Sequence, residues 1–156
     1  MDSHQTFEEY LDQNGSLTYS TKGVSMLPLL HENRDLIILE KHQGAGLKPG
    51  DVVLYRRHPN QYVLHRVMEV REHDYVILGD NCIGREYGIT DDDILGVMTG
   101  FVRKGREYRA TDRSYRVYTW FILHTVSLRI GYKRLRIKVR QSLSRLYHIW
   151  KGRARV

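Results

Sequence analysis

The chain has 156 residues, of which 41% are hydrophobic and 28% charged, the balance of a folded domain with at most a short appendage. A single cysteine excludes an internal disulfide framework and fits a reducing compartment. The eight histidines include no His-x-x-x-His pair and there is no Cys-x-x-Cys, so neither a metal nor any other cofactor is expected. The formal net charge of +7 is unevenly held: residues 1–112 carry 13 Lys+Arg against all 18 Asp+Glu, whereas residues 113–156 carry 12 Lys+Arg and no acid. That asymmetry marks a functional boundary near Asp112.

Thr6 to Asp12 reads as a short helix, with Phe7, Tyr10 and Leu11 on one face and Gly15 as its stop. It is acidic at its start and has no apolar core, so it is neither a secretory signal nor a membrane span. From Ser16 the pattern changes to short β-branched and aromatic runs. Turns fall at Asn33, residues 44–46, Pro49-Gly50, Pro59-Asn60 and residues 79–81. The expected class is mainly β, a coiled antiparallel sheet or partly open barrel, with a short N-terminal helix and a basic C-terminal amphipathic helix.

Two segments carry chemistry. Gly23-Val24-Ser25-Met26-Leu27-Pro28 puts a hydroxyl on a turn, and Leu64-His65-Arg66-Val67 puts an imidazole on a strand-like run. A serine hydroxyl is a poor nucleophile at neutral pH unless a base removes its proton as the bond forms. An imidazole with an ordinary pKa near ~6.5 suits that task. Asp80, in Gly79-Asp80-Asn81 after the apolar Tyr75–Leu78 run, is placed to accept the second imidazole N–H and fix its tautomer. The alternative for Asp80 is an Asx-turn that bonds only nearby backbone.

Ser-Met-Leu-Pro (25–28), Gly-Asp-Val-Val (50–53), His-Arg-Val (65–67) and Gly-Asp-Asn (79–81) occur in one order. This series, over Leu17 to Val102, resembles the catalytic region of the signal peptidase and LexA-like serine peptidases. It is closest to the archaeal and endoplasmic-reticulum signal peptidases, in which His replaces the bacterial general-base Lys. The resemblance implies Ser25 as nucleophile, His65 as general base, Asp80 as the acid of the Gly-Asp-Asn element, and Glu86 at the place of a second acid in many members. It also implies the LexA and signal peptidase type of sheet; with the helix pattern and the charge boundary, the chain divides into an N-terminal helix (1–15), a peptidase domain (16–112) and a basic helical tail (113–156).

The Ser25 backbone N–H is the natural first oxyanion donor. Where many signal peptidases supply a second from a hydroxyl two residues before the nucleophile, this chain has Gly23, which leaves that donor unassigned. Lys22 and Lys41 are the other lysines open as a base, but neither lies where the family pattern wants one. Cys82 is a rival nucleophile or a small packed side chain. Ala45, between two glycines, is a conceivable self-cleavage neighbourhood or simply part of a flexible loop.

In the tail, Leu128, Tyr132, Leu135, Val139, Leu143, Leu146 and Trp150 recur at steps of three and four, with Lys133, Arg134, Arg136, Lys138, Arg140 and Arg145 between them. That pattern suits an interfacial helix on anionic lipid, and Trp120–Leu123 would deepen its insertion. His124 and Arg129 cut the apolar stretch well below the roughly 20 residues a span needs. Packing on its own domain or a second copy, and binding to nucleic acid or an acidic protein, are the other readings of the tail. No helix-turn-helix, ribonucleoprotein or zinc-finger motif argues for specific nucleic-acid binding.

The expected function is a cytoplasmic serine endopeptidase, peripheral at the inner membrane face, that cleaves a peptide or precursor protein. The alternative is a catalytically inactive or self-processing LexA-like regulatory protein acting through its basic tail.

Overall fold

Thr6 starts helix α1 (Phe7–Asn14) with a capping box: its hydroxyl accepts the Glu9 N–H at 3.2 Å, while Glu9 accepts the Thr6 N–H at 2.9 Å. Gly15 ends the helix at φ 71°, a left-handed conformation that favours glycine, and its N–H bonds the Leu11 carbonyl. Leu11 is 1% exposed, and burying a leucine is worth about 2 kcal/mol; with Phe7 packed edge-on against Tyr19 and Tyr62, it docks a helix too short to stand alone. The computed structural model describes residues 5–44, 46–59 and 61–153, with the backbone only at 146–150, 152 and 153. Ala45 and the side chains of Leu146 and Trp150 therefore lie outside the described residues.

The β-branched and aromatic runs become eight antiparallel strands: β1 (Ser16–Ser20), β2 (Asp35–Lys41), β3 (Val52–Arg57), β4 (Gln61–Val70), β5 (Tyr75–Leu78), β6 (Glu86–Ile89), β7 (Ile94–Arg103) and β8 (Arg106–Arg109). Among the described residues the sheet runs β1-β2-β7-β3-β4-β5-β6, with β8 on β7, and does not close. The chain is thus mainly β and antiparallel, as its turn spacing implied.

β3 is buried on both faces and so separates two cores. Val52 and Leu54 join Leu11, Leu39, Met98 and Phe101 on one side, while Val53 and Tyr55 join Val67, Ile77, Ile89 and Ile94 on the other. Opposed residues of an antiparallel pair share a face and neighbours along a strand do not. The pairs Val53↔His65 and Val52↔Arg66 therefore put His65 and Arg66 on opposite sides of the sheet.

The C-terminal segment is two helices, α2 (Arg113–His124) and α3 (Val126–Arg153), where one had been expected. Thr125 separates them, its carbonyl accepting the Arg129 N–H as the cap of α3. The chain forms two compact units, Met1–Leu123 and His124–Val156, so all but the last residue of α2 belongs with the sheet. The cause is one buried helix face: Tyr115 and Ile122, two turns apart, are 9% and 2% exposed. Ile122 is thereby removed from the apolar stretch assigned to membrane insertion, whereas Trp120 and Phe121 remain exposed.

Candidate active site

His65 sits in the middle of β4 with 6% of its side chain exposed. Val67, two residues on, pairs with Ile77, and Ile77 pairs with Glu86 at the start of β6. That parity carries Glu86 to the His65 side of the sheet, and its Oε1 lies 3.1 Å from the ring Nδ1. An ionised carboxylate only accepts, so Nδ1 carries the proton in this bond and Nε2 is left as the basic nitrogen.

Tyr55 and Arg57 reach the same place because they alternate with Val53, which is opposite His65. Arg57 grips Glu86 with two bonds of 2.8 and 2.5 Å, and the Tyr55 hydroxyl is 3.4 Å from Nδ1. Burial opposes the charge on Glu86, but the hydrogen bonds from Arg57 and Tyr55 outweigh it and hold its carboxyl below the ordinary value. Burial also pushes the His65 imidazole below its ordinary 6.5, against the partial opposition of Glu86. A base that is neutral near pH 7 results.

Asp80 does not fill the role expected of it. Its carboxylate takes two parallel bonds from the buried Arg66, 2.8 Å from Nε and 2.7 Å from Nη2, and a third of 2.9 Å from the Tyr118 hydroxyl on α2. Parity explains this: Arg66 pairs with Leu78, so Asp80, two residues further, continues on the face opposite His65. Arg66 also bonds the Gly50 carbonyl, the Tyr115 hydroxyl and Thr119 Oγ1. Burial costs the guanidinium, yet Asp80 more than offsets it and raises the Arg66 pKa.

The Asp80 turn in turn holds Ser25. Asn81 donates its backbone N–H to the Ser25 carbonyl at 2.7 Å and its side-chain amide to the Val24 carbonyl at 3.0 Å. From below, Met26, Leu29 and Leu30 sink the same turn into the core. Ser25 and His65 line one cavity of about 610 Å³, whose walls include Met26, Leu30, Leu54 and Leu64. Gly23 has a φ of 84°, so the position where a second oxyanion hydroxyl was sought has a backbone conformation that disfavours serine.

Cys82 is closer to the base than its sequence context suggested: its Sγ is 3.9 Å from His65 Nε2, and it lines the same cavity. Gly79 makes room for both, since a Cβ there would lie 2.7 Å from Cys82 Sγ and 2.8 Å from His65 Nε2. Lys22 is exposed on the cavity rim, and Lys41 pairs with Asp12 at 2.9 Å. The sequence pattern singles out Gly79 only as part of the Gly-Asp-Asn turn, and it does not single out Tyr55, Arg57 or Tyr118 as site residues. The i, i+2 spacing of Val53, Tyr55 and Arg57 was the available signal for two of them. Among the described residues, no group of three or more His, Cys, Asp or Glu could hold a metal ion.

No protein-family model, curated protein or solved structure matches this chain.

Proposed function

We propose that the protein is a serine endopeptidase in which Ser25 is the nucleophile, His65 the general base, Glu86 the group that orients the base, and Asp80 the group that positions the Ser25 turn. One observation carries the reading: His65 is bound at Nδ1 by Glu86, at 3.1 Å, and lines the same cavity as Ser25. In the proposed reaction Ser25 Oγ attacks the scissile carbonyl carbon while His65 Nε2 takes its proton. The C–N bond then breaks as the imidazolium returns that proton to the leaving amine. Water, deprotonated by the same nitrogen, releases the acyl group from Ser25. The imidazolium formed in each half is stabilised by Glu86, and the Ser25 N–H is the first donor to the oxyanion.

The substrate class is an extended peptide with an apolar side chain near the scissile bond. β1 is the terminal strand on its side of the sheet, and Ser20–Gly23, which continue it, line the cavity, so a peptide can pair alongside. The apolar walls at Met26, Leu30, Leu54 and Leu64 supply the side-chain pocket. Resemblance to the signal peptidase and LexA-like enzymes supports the same class of reaction.

A second reading has one observation in its favour. Cys82 Sγ lies 3.9 Å from Nε2, which suits a thiol nucleophile. Incubating the protein with a mixture of proteome-derived peptides and reading new termini by mass spectrometry separates the two. The serine reading expects cleavage by wild type and Cys82→Ala and none by Ser25→Ala; the converse pattern assigns the thiol, and no new termini with wild type rejects both.

A further inference from the structure

α3 carries a feature that peptide hydrolysis does not use. At about 100° per residue, Leu128, Tyr132, Leu135, Val139 and Leu143 fall within an arc of about 80°, and the 28-residue helix is about 42 Å long. Every one of the five is exposed, from 49% at Val139 to 76% at Leu128. Such a row left in water is a binding surface by default. Exposed cations flank it, Arg136 and Arg140 along one border and Arg134, Lys138 and Arg145 along the other. The helix contains no Asp or Glu.

We propose that α3 lies along the surface of an anionic lipid bilayer, its apolar row in the acyl boundary and its cations at the headgroups. Charge selects an anionic partner. A second copy seated on the same row would set Arg136 and Arg140 against other arginines and lysines with no carboxylate between them. A polyphosphate such as nucleic acid would reward the cations but leave five apolar side chains in water. A bilayer takes both: the aliphatic stems of Arg and Lys descend with the row while their charged ends stay at the phosphates. Crossing is not implied, since among the described residues no helix is long and apolar enough to span a membrane.

The test is co-sedimentation of the full chain with phosphatidylcholine vesicles, alone and mixed with phosphatidylglycerol. The wild type is expected to bind only the mixed vesicles. Because each surface cation contributes about fivefold, Arg136→Gln/Lys138→Gln/Arg140→Gln should weaken partition on the order of a hundredfold. Leu135→Asp/Val139→Asp should abolish it, with far-ultraviolet circular dichroism confirming that helix is retained before mixing. Failure of the wild type to bind mixed vesicles overturns the proposal, as does unchanged binding by the Leu135→Asp/Val139→Asp protein. Sedimentation velocity showing a dimer that this apolar-row variant dissolves would assign the row to a second copy instead. Duplex DNA binding indifferent to the row, without vesicle binding, would assign the cations to nucleic acid. These readouts do not require peptidase activity, so they stand or fall separately from the function proposed above.

Discussion

Arg66 and Asp80 form a fully buried, two-bond ion pair, 2.8 and 2.7 Å, on the side of the sheet opposite His65. The two acids thereby face different partners: Glu86 faces His65, and Asp80 lies in the turn whose Asn81 holds the Ser25 backbone.

Asp80→Asn should act mainly on folding. Breaking a buried pair leaves Arg66 charged and uncompensated, which costs about 3–5 kcal/mol, and Tm is expected to fall by roughly 10–20 °C. Glu86→Gln gives up the charge that Arg57 and Tyr55 hold, but at a partly exposed site, so its Tm should fall less than that of Asp80→Asn while kcat falls at least about tenfold. Thermal melts beside kinetics of the two variants check this division; equal Tm losses would contradict it.

The pH profile follows from the depressed imidazole. Because burial outweighs Glu86, activity should rise with pH through a value below 6.5. Removing the Glu86 charge takes away a contribution that favours the imidazolium, so Glu86→Gln should move that limb to lower pH. Arg57 disfavours the imidazolium, and Arg57→Gln should move it to higher pH. The same depression makes the fold lose stability as pH falls from 6.5 through the native value, since the unfolded imidazole takes up a proton there and the native one does not. Rate profiles of kcat/KM and denaturant midpoints against pH measure both.

Gly79→Ala should strike the base without unfolding the protein. Its Cβ would need the space 2.8 Å from His65 Nε2, so the ring must shift, and a misplacement of about 1 Å costs on the order of a hundredfold in kcat. The expected signature is that loss at nearly unchanged KM, with Tm lowered by only a few degrees as overpacking of about 1–3 kcal/mol against Cys82 and His65 is absorbed, read from steady-state kinetics and a thermal melt.

Tyr118→Phe tests whether α2 supports the Ser25 turn. Losing one hydrogen bond to a carboxylate costs about 2 kcal/mol, and a drop in kcat should accompany the drop in stability because Asp80 and Asn81 are adjacent. Thr119→Val, which removes a bond to Arg66 only, is expected to lower stability with a smaller effect on kcat.

The strands, the Gly15 stop of α1 and the candidates Ser25 and His65 were legible because each depends on local pattern: an apolar run, a glycine, a turn; that Ser25 and His65 line one cavity is set by the fold. The partner of His65 was not legible. Asp80 and Glu86 are both acids shortly after the same strand, and only the pairing of Arg66 with Leu78 and of Ile77 with Glu86 decides which one faces the ring. Register is a tertiary quantity, and a slip of one residue exchanges the two faces. The charge boundary at Asp112 does not coincide with the division between the two compact units for a related reason: Tyr115, Tyr118, Thr119 and Ile122 have helical spacing, but the partners of the first three, Arg66 and Asp80, lie far away in sequence. Cys82 shows the same limit, since its distance to Nε2 is set by a turn and not by a motif.

The most direct measurement is kcat/KM of the wild type and of Ser25→Ala on the best-cleaved peptide from the mixture, at equal Tm. Removing the nucleophile is expected to lower it by at least about a thousandfold. A Ser25→Ala protein that hydrolyses the peptide within a few-fold of wild type would contradict the assignment of this hydroxyl.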